Sequence, residues 1–192
     1  NIPDMPRGTF RTLLSETPIE TADDIEGLKI RQYQNDLIID AWTHLGAEVR
    51  VLPWGEVYDG VNRGIVSAVT SPAEAIMSMR FYEVAPNIIR TDEYPQAVSW
   101  MMNVNAWNAL TPEQQDAMSR AHAEAAAYGR ELLDEAAATL KADLEAEEGV
   151  NVNFDFDNGP LVAKMQEFYS AREAAGELPE GLVAAVDAAR TE

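Results

Sequence analysis

Two arginines stand out for the company they keep. Arg11 falls in TFRTLL and Arg31 in LKIRQ, short stretches whose neighbours are apolar or small and whose pattern reads as β-strand. A guanidinium on a strand in such surroundings needs a carboxylate partner, and its planar fork suits a two-point contact with one. An internal Asp or Glu and the carboxylate of a ligand are equally open as that partner. Arg63, Arg80 and Arg120 are different: in a chain this acidic they read as neutralising nearby carboxylates. Trp54, Thr70 and Ser71 are the other residues of interest, because each falls just past or at the end of a predicted strand.

The elements that must position them run from Leu28 to Pro72 as strand-helix units in series. Residues 28–32 form a strand with Lys29 and Arg31 on one face and Leu28 and Ile30 on the other. Asn35 or Asp36 caps the next helix, in which Leu37, Ile38, Ala41, Trp42 and Leu45 recur at helical spacing. Gly46 suits the left-handed residue that ends it. Residues 49–52 read as a second strand, 55–62 as a short helix and 65–70 as a third strand. This alternation predicts an α/β fold with a parallel sheet, and such sheets collect ligands at the carboxyl ends of their strands.

Elsewhere, residues 9–14 read as a strand and 21–24 as a helical turn with a threonine cap and an acidic start. Pro72 opens a helix over 73–84. Residues 97–102 read as a strand returning across the sheet, and 105–110 as a turn of helix. Thr111-Pro-Glu-Gln114 starts a helix with no strong breaker before Gly149, its stripe being Met118, Ala121, Ala125, Tyr128, Leu132, Ala136 and Leu140. Its alanine-rich stripe argues against a coiled coil and for a spine lying across two lobes. Residues 150–156 alternate as an antiparallel or edge strand, and 160–172 and 182–190 are helices. The chain divides accordingly into 1–95, carrying Arg31, then 96–149, a crossing strand with the long helix, and 150–192, an edge strand with the C-terminal helices.

The 192 residues are 46% hydrophobic with no long apolar run, which argues against a membrane span. Thirty-three acidic against fourteen basic residues give a formal charge of -19, which disfavours nucleic acid or an anionic membrane as partner. The absence of cysteine removes disulfides and thiol chemistry. The opening NIPDMPRGTF has no charged segment followed by an apolar core, so a cytoplasmic protein or a mature or shortened form is expected.

Catalytic motifs are scarce. Asn153, Asp155 and Asp157 begin like a calcium loop, but Asn158 replaces the required glycine and Lys164 the closing glutamate, so a strand-to-turn reading is preferred. His44 and His122 are isolated on helices, and no metal site is expected. No GxSxG, P-loop or GxGxxG occurs.

The order of several segments is informative: TPIETADDIEGLKIR, then LGAEVRVLPWGEVYDGVNRGIV, then YEV, then NVNAWNALTPEQQDAM. Together they resemble the solute-binding proteins of tripartite ATP-independent periplasmic (TRAP) transporters, clearly over about residues 9–128 and more weakly beyond. The resemblance implies a two-lobe periplasmic-binding-protein fold (type II-like), of which this chain is expected to be the C-terminal part, starting near the first crossing between lobes. It implies a non-catalytic, cofactor-free protein of the periplasm that captures a small organic anion and passes it to membrane permease subunits. Arg31 matches the family arginine that pairs with the ligand carboxylate, and Arg11 a second ligand-facing arginine found in some members. Trp54 matches the aromatic that packs on the solute, although outside this resemblance a tryptophan after a strand reads more often as core. Ser71, with Thr70 beside it, falls where many members have an asparagine touching the same carboxylate; here Val66 to Pro72 reads VSAVTSP, and a serine before proline can also cap a helix. Two other classes remain open on the residues alone: a small enzyme acting on an organic acid held by Arg31, and an acidic partner-binding scaffold.

Overall fold

The computed structural model describes residues 5–6, 10–94 and 97–190; of residues 5, 6, 97, 98 and 190 only the backbone is considered. Eight strands and seven α-helices are described: β1 (Met5–Pro6), β2 (Arg11–Ser15), β3 (Lys29–Gln32), α1 (Asp36–His44), β4 (Glu48–Val51), α2 (Val57–Asn62), β5 (Ala68–Pro72), α3 (Ala73–Met79), β6 (Asn87–Arg90), β7 (Ala97–Val98), α4 (Val104–Asn108), α5 (Pro112–Glu145), β8 (Asn151–Asn153), α6 (Gly159–Ala174) and α7 (Leu182–Arg190). Single 3-10 turns span Ala22–Ile25, Trp54–Glu56 and Phe81–Glu83.

Six strands form one sheet in the order β4-β3-β5-β2-β6-β8, while β1 and β7 pair antiparallel by themselves. Five of the six run parallel; β2, between β5 and β6, is antiparallel to both. The expected parallel sheet is therefore a mixed one. Because β2 is reversed, its first residue, Arg11, lies at the same edge as the carboxyl ends of β3, β4, β5 and β6, opposite Pro72 in register.

Side chains alternate across the sheet and build two cores. On one face Leu13, Ile30, Ala68 and Ile89 pack with Ile25, Trp42 and Leu45 and with Phe156 and Leu161 ahead of and on α6. On the other Leu14, Val69 and Ile88 pack with Val57 and Val61 of α2, Ile76 of α3, Phe81, and Leu140 and Leu144 of α5. The central strands β2 and β5 are buried along their whole length, on both faces.

The helix ends follow local chemistry. The Asn35 side chain accepts the Ile38 N–H at 3.1 Å and caps α1, and Gly46 takes φ 99° after it. Thr111 and Gln114 form the reciprocal capping box of the 34-residue α5. Its packed face is Ala126, Gly129, Leu140 and Leu144, with Leu133 and Ala137 partly covered. The expected stripe is offset by one position: Met118, Tyr128 and Leu132 are exposed, and of that stripe Leu140 is the member found buried. In an alanine-rich helix several faces are nearly equivalent, and the tertiary packing of Leu140 and Leu144 decides among them.

Other boundaries also shift. The third strand begins at Ala68, because Ile65 and Val66 turn back to donate to the Gly60 carbonyl and Gly64 is left-handed. α3 stops at Met79, where Arg80 adopts φ 53°. β8 is an edge strand but parallel to β6, not antiparallel. Strand β7 ends at Val98, short of the expected 102. Thr9, the expected start of the first strand, lies outside the described residues.

Candidate functional site at the carboxyl edge of the sheet

Arg31 is the next-to-last residue of β3 and shares its sheet face with Val69. It is 5% exposed. Its Nε and Nη2 both donate to the carbonyl oxygen of Leu52, at 2.9 and 2.7 Å, which fixes the guanidinium against the chain leaving β4. No described carboxylate pairs with it, and Nη1 donates to no described group. Trp54 closes this side: its ring lies 5.3 Å from the Arg31 guanidinium carbon and edge-on to Phe81 at 5.1 Å. Trp54 is thus half-buried, at once part of the core margin and a cover for the arginine.

Arg11 points to the opposite face, that of Leu13. Its Nη2 donates to Thr70 Oγ1 at 3.0 Å, its Nε lies 3.7 Å from a carboxylate oxygen of Glu93, and its guanidinium carbon sits 4.5 Å from the centre of the Tyr94 ring. Of the two candidate partners for a buried guanidinium, Arg11 thus has an internal acid, whereas Arg31 has a backbone carbonyl. Thr70 also accepts from Gln32 Nε2 at 3.2 Å, which ties β3, β5 and β2 together at this edge.

Ser71, fully buried, does not cap α3. Its Oγ donates to the Pro72 carbonyl at 2.9 Å, and its own carbonyl accepts from Thr12 Oγ1 at 3.1 Å. No side chain caps that helix, whose N-terminal flank is Pro72. The edge therefore unites all five residues, with Arg31, Ser71 and Trp54 toward one face and Arg11 and Thr70 toward the other.

Glu93, Tyr94 and Gln32 are site residues that the sequence reading missed. Gln32 was legible as the residue beside Arg31. Glu93 and Tyr94 follow β6, a strand whose four residues, NIIR, carry too short a signal to be read alone. Glu93 is nearly enclosed, accepting from Thr91 Oγ1 at 3.3 Å and from the Trp42 indole. Burial raises its pKa to about 7, against the pull of Arg11 and these two donors. Burial, and after it the nearby charge of Arg11, lowers the pKa of Arg31. Burial and a bond to Tyr33 raise that of Tyr94.

Other sequence candidates lie elsewhere. Asn153 ends β8 and its side chain accepts the Asp155 N–H, and Asp157 accepts the Gly159 N–H, in keeping with a strand-to-turn reading. His44 lies against Phe168 and His122 against Trp100. Among the described residues no group of three His, Cys, Asp or Glu is arranged to hold a metal ion, and no helix is long and apolar enough to cross a membrane. A cavity of about 220 Å³ between α3 and α5, lined by Ala73, Met77, Leu133 and Leu140 among others, has neither arginine in its lining.

Residues 5–174 match the family described as bacterial extracellular solute-binding protein, family 7. A solute-binding protein of Sulfitobacter sp. strain NAS-14.1 is 30% identical over 180 residues, covering 91% of this chain and 54% of that protein. The 2,3-diketo-L-gulonate-binding periplasmic protein of Escherichia coli K12 is 31% identical over 143 residues, covering 74% of this chain and 43% of its own length. The fold is similar to the crystal structure of a TRAP periplasmic solute-binding protein from Pseudomonas putida F1 with bound D-glucuronate: TM-score 0.83, 26% identity, 97% of this chain and 59% of that one. The chain spans about half the length of the curated relatives it matches. With the match running through nearly the whole described fold and through the edge that carries both arginines, the chain belongs to the bacterial extracellular solute-binding protein family 7, the solute-binding proteins of TRAP transporters.

Proposed function

We propose that the chain supplies the arginine-bearing wall of a binding cleft that captures a small organic anion and delivers it, outside the cytoplasm, to the membrane subunits of a TRAP-type transporter. Sugar acids are the favoured solutes: relatives of similar fold hold D-glucuronate and L-galactonate. In this reading Arg31 receives the carboxylate, Trp54 shields it from water, and Arg11, Thr70 and Ser71 complete the polar floor. Residues 1–95 act as the carboxylate-binding lobe, 96–149 as the crossing segment and spine, and 150–192 as the edge. The protein is taken to be periplasmic, and its role to be capture and release, not turnover.

The observation that carries this is the state of Arg31. Its orientation is fixed by the Leu52 carbonyl on one side and Trp54 on another, yet it lacks a described carboxylate partner at the strand end where α/β sheets bind ligands. A buried cation held in place without a counter-ion favours an anion that arrives from outside. In a partly dry site the resulting pair is stronger than at an open surface. The test is calorimetry against a panel of uronates, aldonates and dicarboxylates. Saturable binding that R31A abolishes, with the acid recovered unchanged, is expected; turnover, or binding indifferent to R31A, would refute the reading.

A further inference from the structure

We propose that Tyr33 and Tyr94 select for hydroxylated acids: their paired hydroxyls hydrogen-bond an alcohol group of the solute whose carboxylate Arg31 holds. The inference rests on the carboxylate-capture reading above and adds to it what the site recognises in the rest of the solute.

The chain leaving β6 folds back over the start of β2, where the Thr91 and Asp92 N–H groups donate to the Arg11 carbonyl at 3.0 and 3.3 Å. This sets the Tyr94 ring on the Arg11 guanidinium, 4.5 Å from its carbon. The Tyr94 hydroxyl is hydrogen-bonded to Tyr33, the residue that follows β3. In the sheet β5 lies between β2 and β3. The bond therefore passes over the strand end that carries Thr70 and Ser71, across two strand spacings or about 10 Å. Tyr33 is two residues beyond Arg31, so their Cα atoms are at most about 7 Å apart. Both tyrosines lie within electrostatic reach of the Arg31 guanidinium. The pair stands beyond the strand ends instead of on either face, so a solute anchored at Arg31 meets it without crossing the sheet.

The bond favours the protonated form of Tyr94, as it does for a donor, so Tyr94 donates and Tyr33 accepts. Tyr33, 39% exposed, keeps its own O–H to give, and the pair keeps oxygen lone pairs to receive. An alcohol both gives and receives, and it completes this chain of hydroxyls. A carboxylate only receives, and its lone pairs face those of the tyrosines. A methylene in the same place leaves the hydroxyls unmatched, which is how a site that hydrogen-bonds an alcohol rejects the deoxy analogue. Because Tyr33 is partly exposed, water takes up some of that loss, and a discrimination of about tenfold is expected.

The experiment is a cycle between solute and protein hydroxyls. Calorimetry on the chain ranks the uronates and aldonates of the panel, D-glucuronate and L-galactonate among them. The monodeoxy forms of the tightest are then measured on wild type, Y33F and Y94F, with circular dichroism on each variant. One monodeoxy form is expected to bind wild type about tenfold more weakly than its parent, whereas Y33F binds the two alike. The same discrimination should shrink in Y94F, which removes the donor to Tyr33. If every monodeoxy form is discriminated equally by wild type and Y33F, the inference is overturned while carboxylate capture stands; should Y33F not fold, Y94F decides by the same comparison. Binding confined to dicarboxylates that carry no hydroxyl overturns it as well. Failure of every acid to bind overturns the carboxylate reading, and the inference with it.

Discussion

The Leu52 carbonyl oxygen accepts from two nitrogens of the Arg31 guanidinium, at 2.9 and 2.7 Å, so that a residue of one parallel strand is aimed by the backbone at the end of its neighbour. The contact orients the fork without neutralising it. That distinction separates Arg31 from Arg11, which has Glu93 as a described carboxylate partner. Lysine is expected to replace it poorly, since a compact ammonium cannot hold the carbonyl and present a planar edge to a carboxylate at once.

Replacing Arg31 by lysine is accordingly expected to weaken organic-acid binding by about 2 kcal/mol, roughly thirtyfold, through loss of one charge-assisted contact. R31A should abolish measurable binding. Calorimetry on the variants, with circular dichroism to confirm the fold, checks both; an R31K variant that binds as tightly as wild type would show that the fork is not used.

Trp54 serves packing and cover together, and the two roles separate by size of substitution. W54F keeps an aromatic face against Phe81 and should lower stability by less than about 1 kcal/mol. W54A leaves that margin of the core uncovered and should lose about 2 kcal/mol, less than a fully buried tryptophan because the residue is half-exposed. Both should weaken ligand binding, W54A more. Chemical denaturation and calorimetry, run in parallel, distinguish a binding loss from an unfolding loss.

How much of this was legible beforehand varies by element. Long signals such as α1 with its Asn35 cap and α5 with its capping box stood out, because local hydrogen bonding and apolar spacing point the same way. The mixed sheet was not legible: the reversal of β2 is a property of how strands pair, and nothing within RTLLS specifies it. β6 is too short to be seen alone, and with it went Glu93 and Tyr94. Arg11 and Arg31 were visible as cations on strands, but whether each had an internal acid depended on those unseen residues. The one-position error in the face of α5 has the same origin, since alanine offers little preference until a tertiary partner is chosen.

Thr70 Oγ1 accepts two buried donors, Arg11 Nη2 and Gln32 Nε2, from the strands on either side of β5. T70V keeps the shape and removes the acceptor, leaving both donors short of a bond. A loss of about 2–4 kcal/mol is expected, along with weaker ligand binding as Arg11 is released. T70S, which restores an oxygen at the same place, should recover most of the stability. Equal behaviour of T70V and T70S in urea denaturation would mean that the shared hydroxyl contributes little.

Glu93 also makes stability depend on pH, and in a direction opposite to most paired carboxylates. Its pKa is raised from 4.5 when unfolded to about 7 in the fold, so between these values the folded chain holds a proton that the unfolded chain has given up. Stability from this group is therefore complete below about pH 4.5 and declines as pH rises to about 7, by up to about 3 kcal/mol. The acidic surface of the chain, with its formal charge of -19, gives a further loss of its own as carboxylates ionise, so the wild-type curve alone does not isolate Glu93. Subtracting the urea-denaturation curve of E93Q from that of wild type does. The difference should change steadily between about pH 4.5 and 7 and be flat above, whereas a difference constant across that window would mean that the buried carboxylate is already ionised at the lower pH and that Arg11 outweighs its burial.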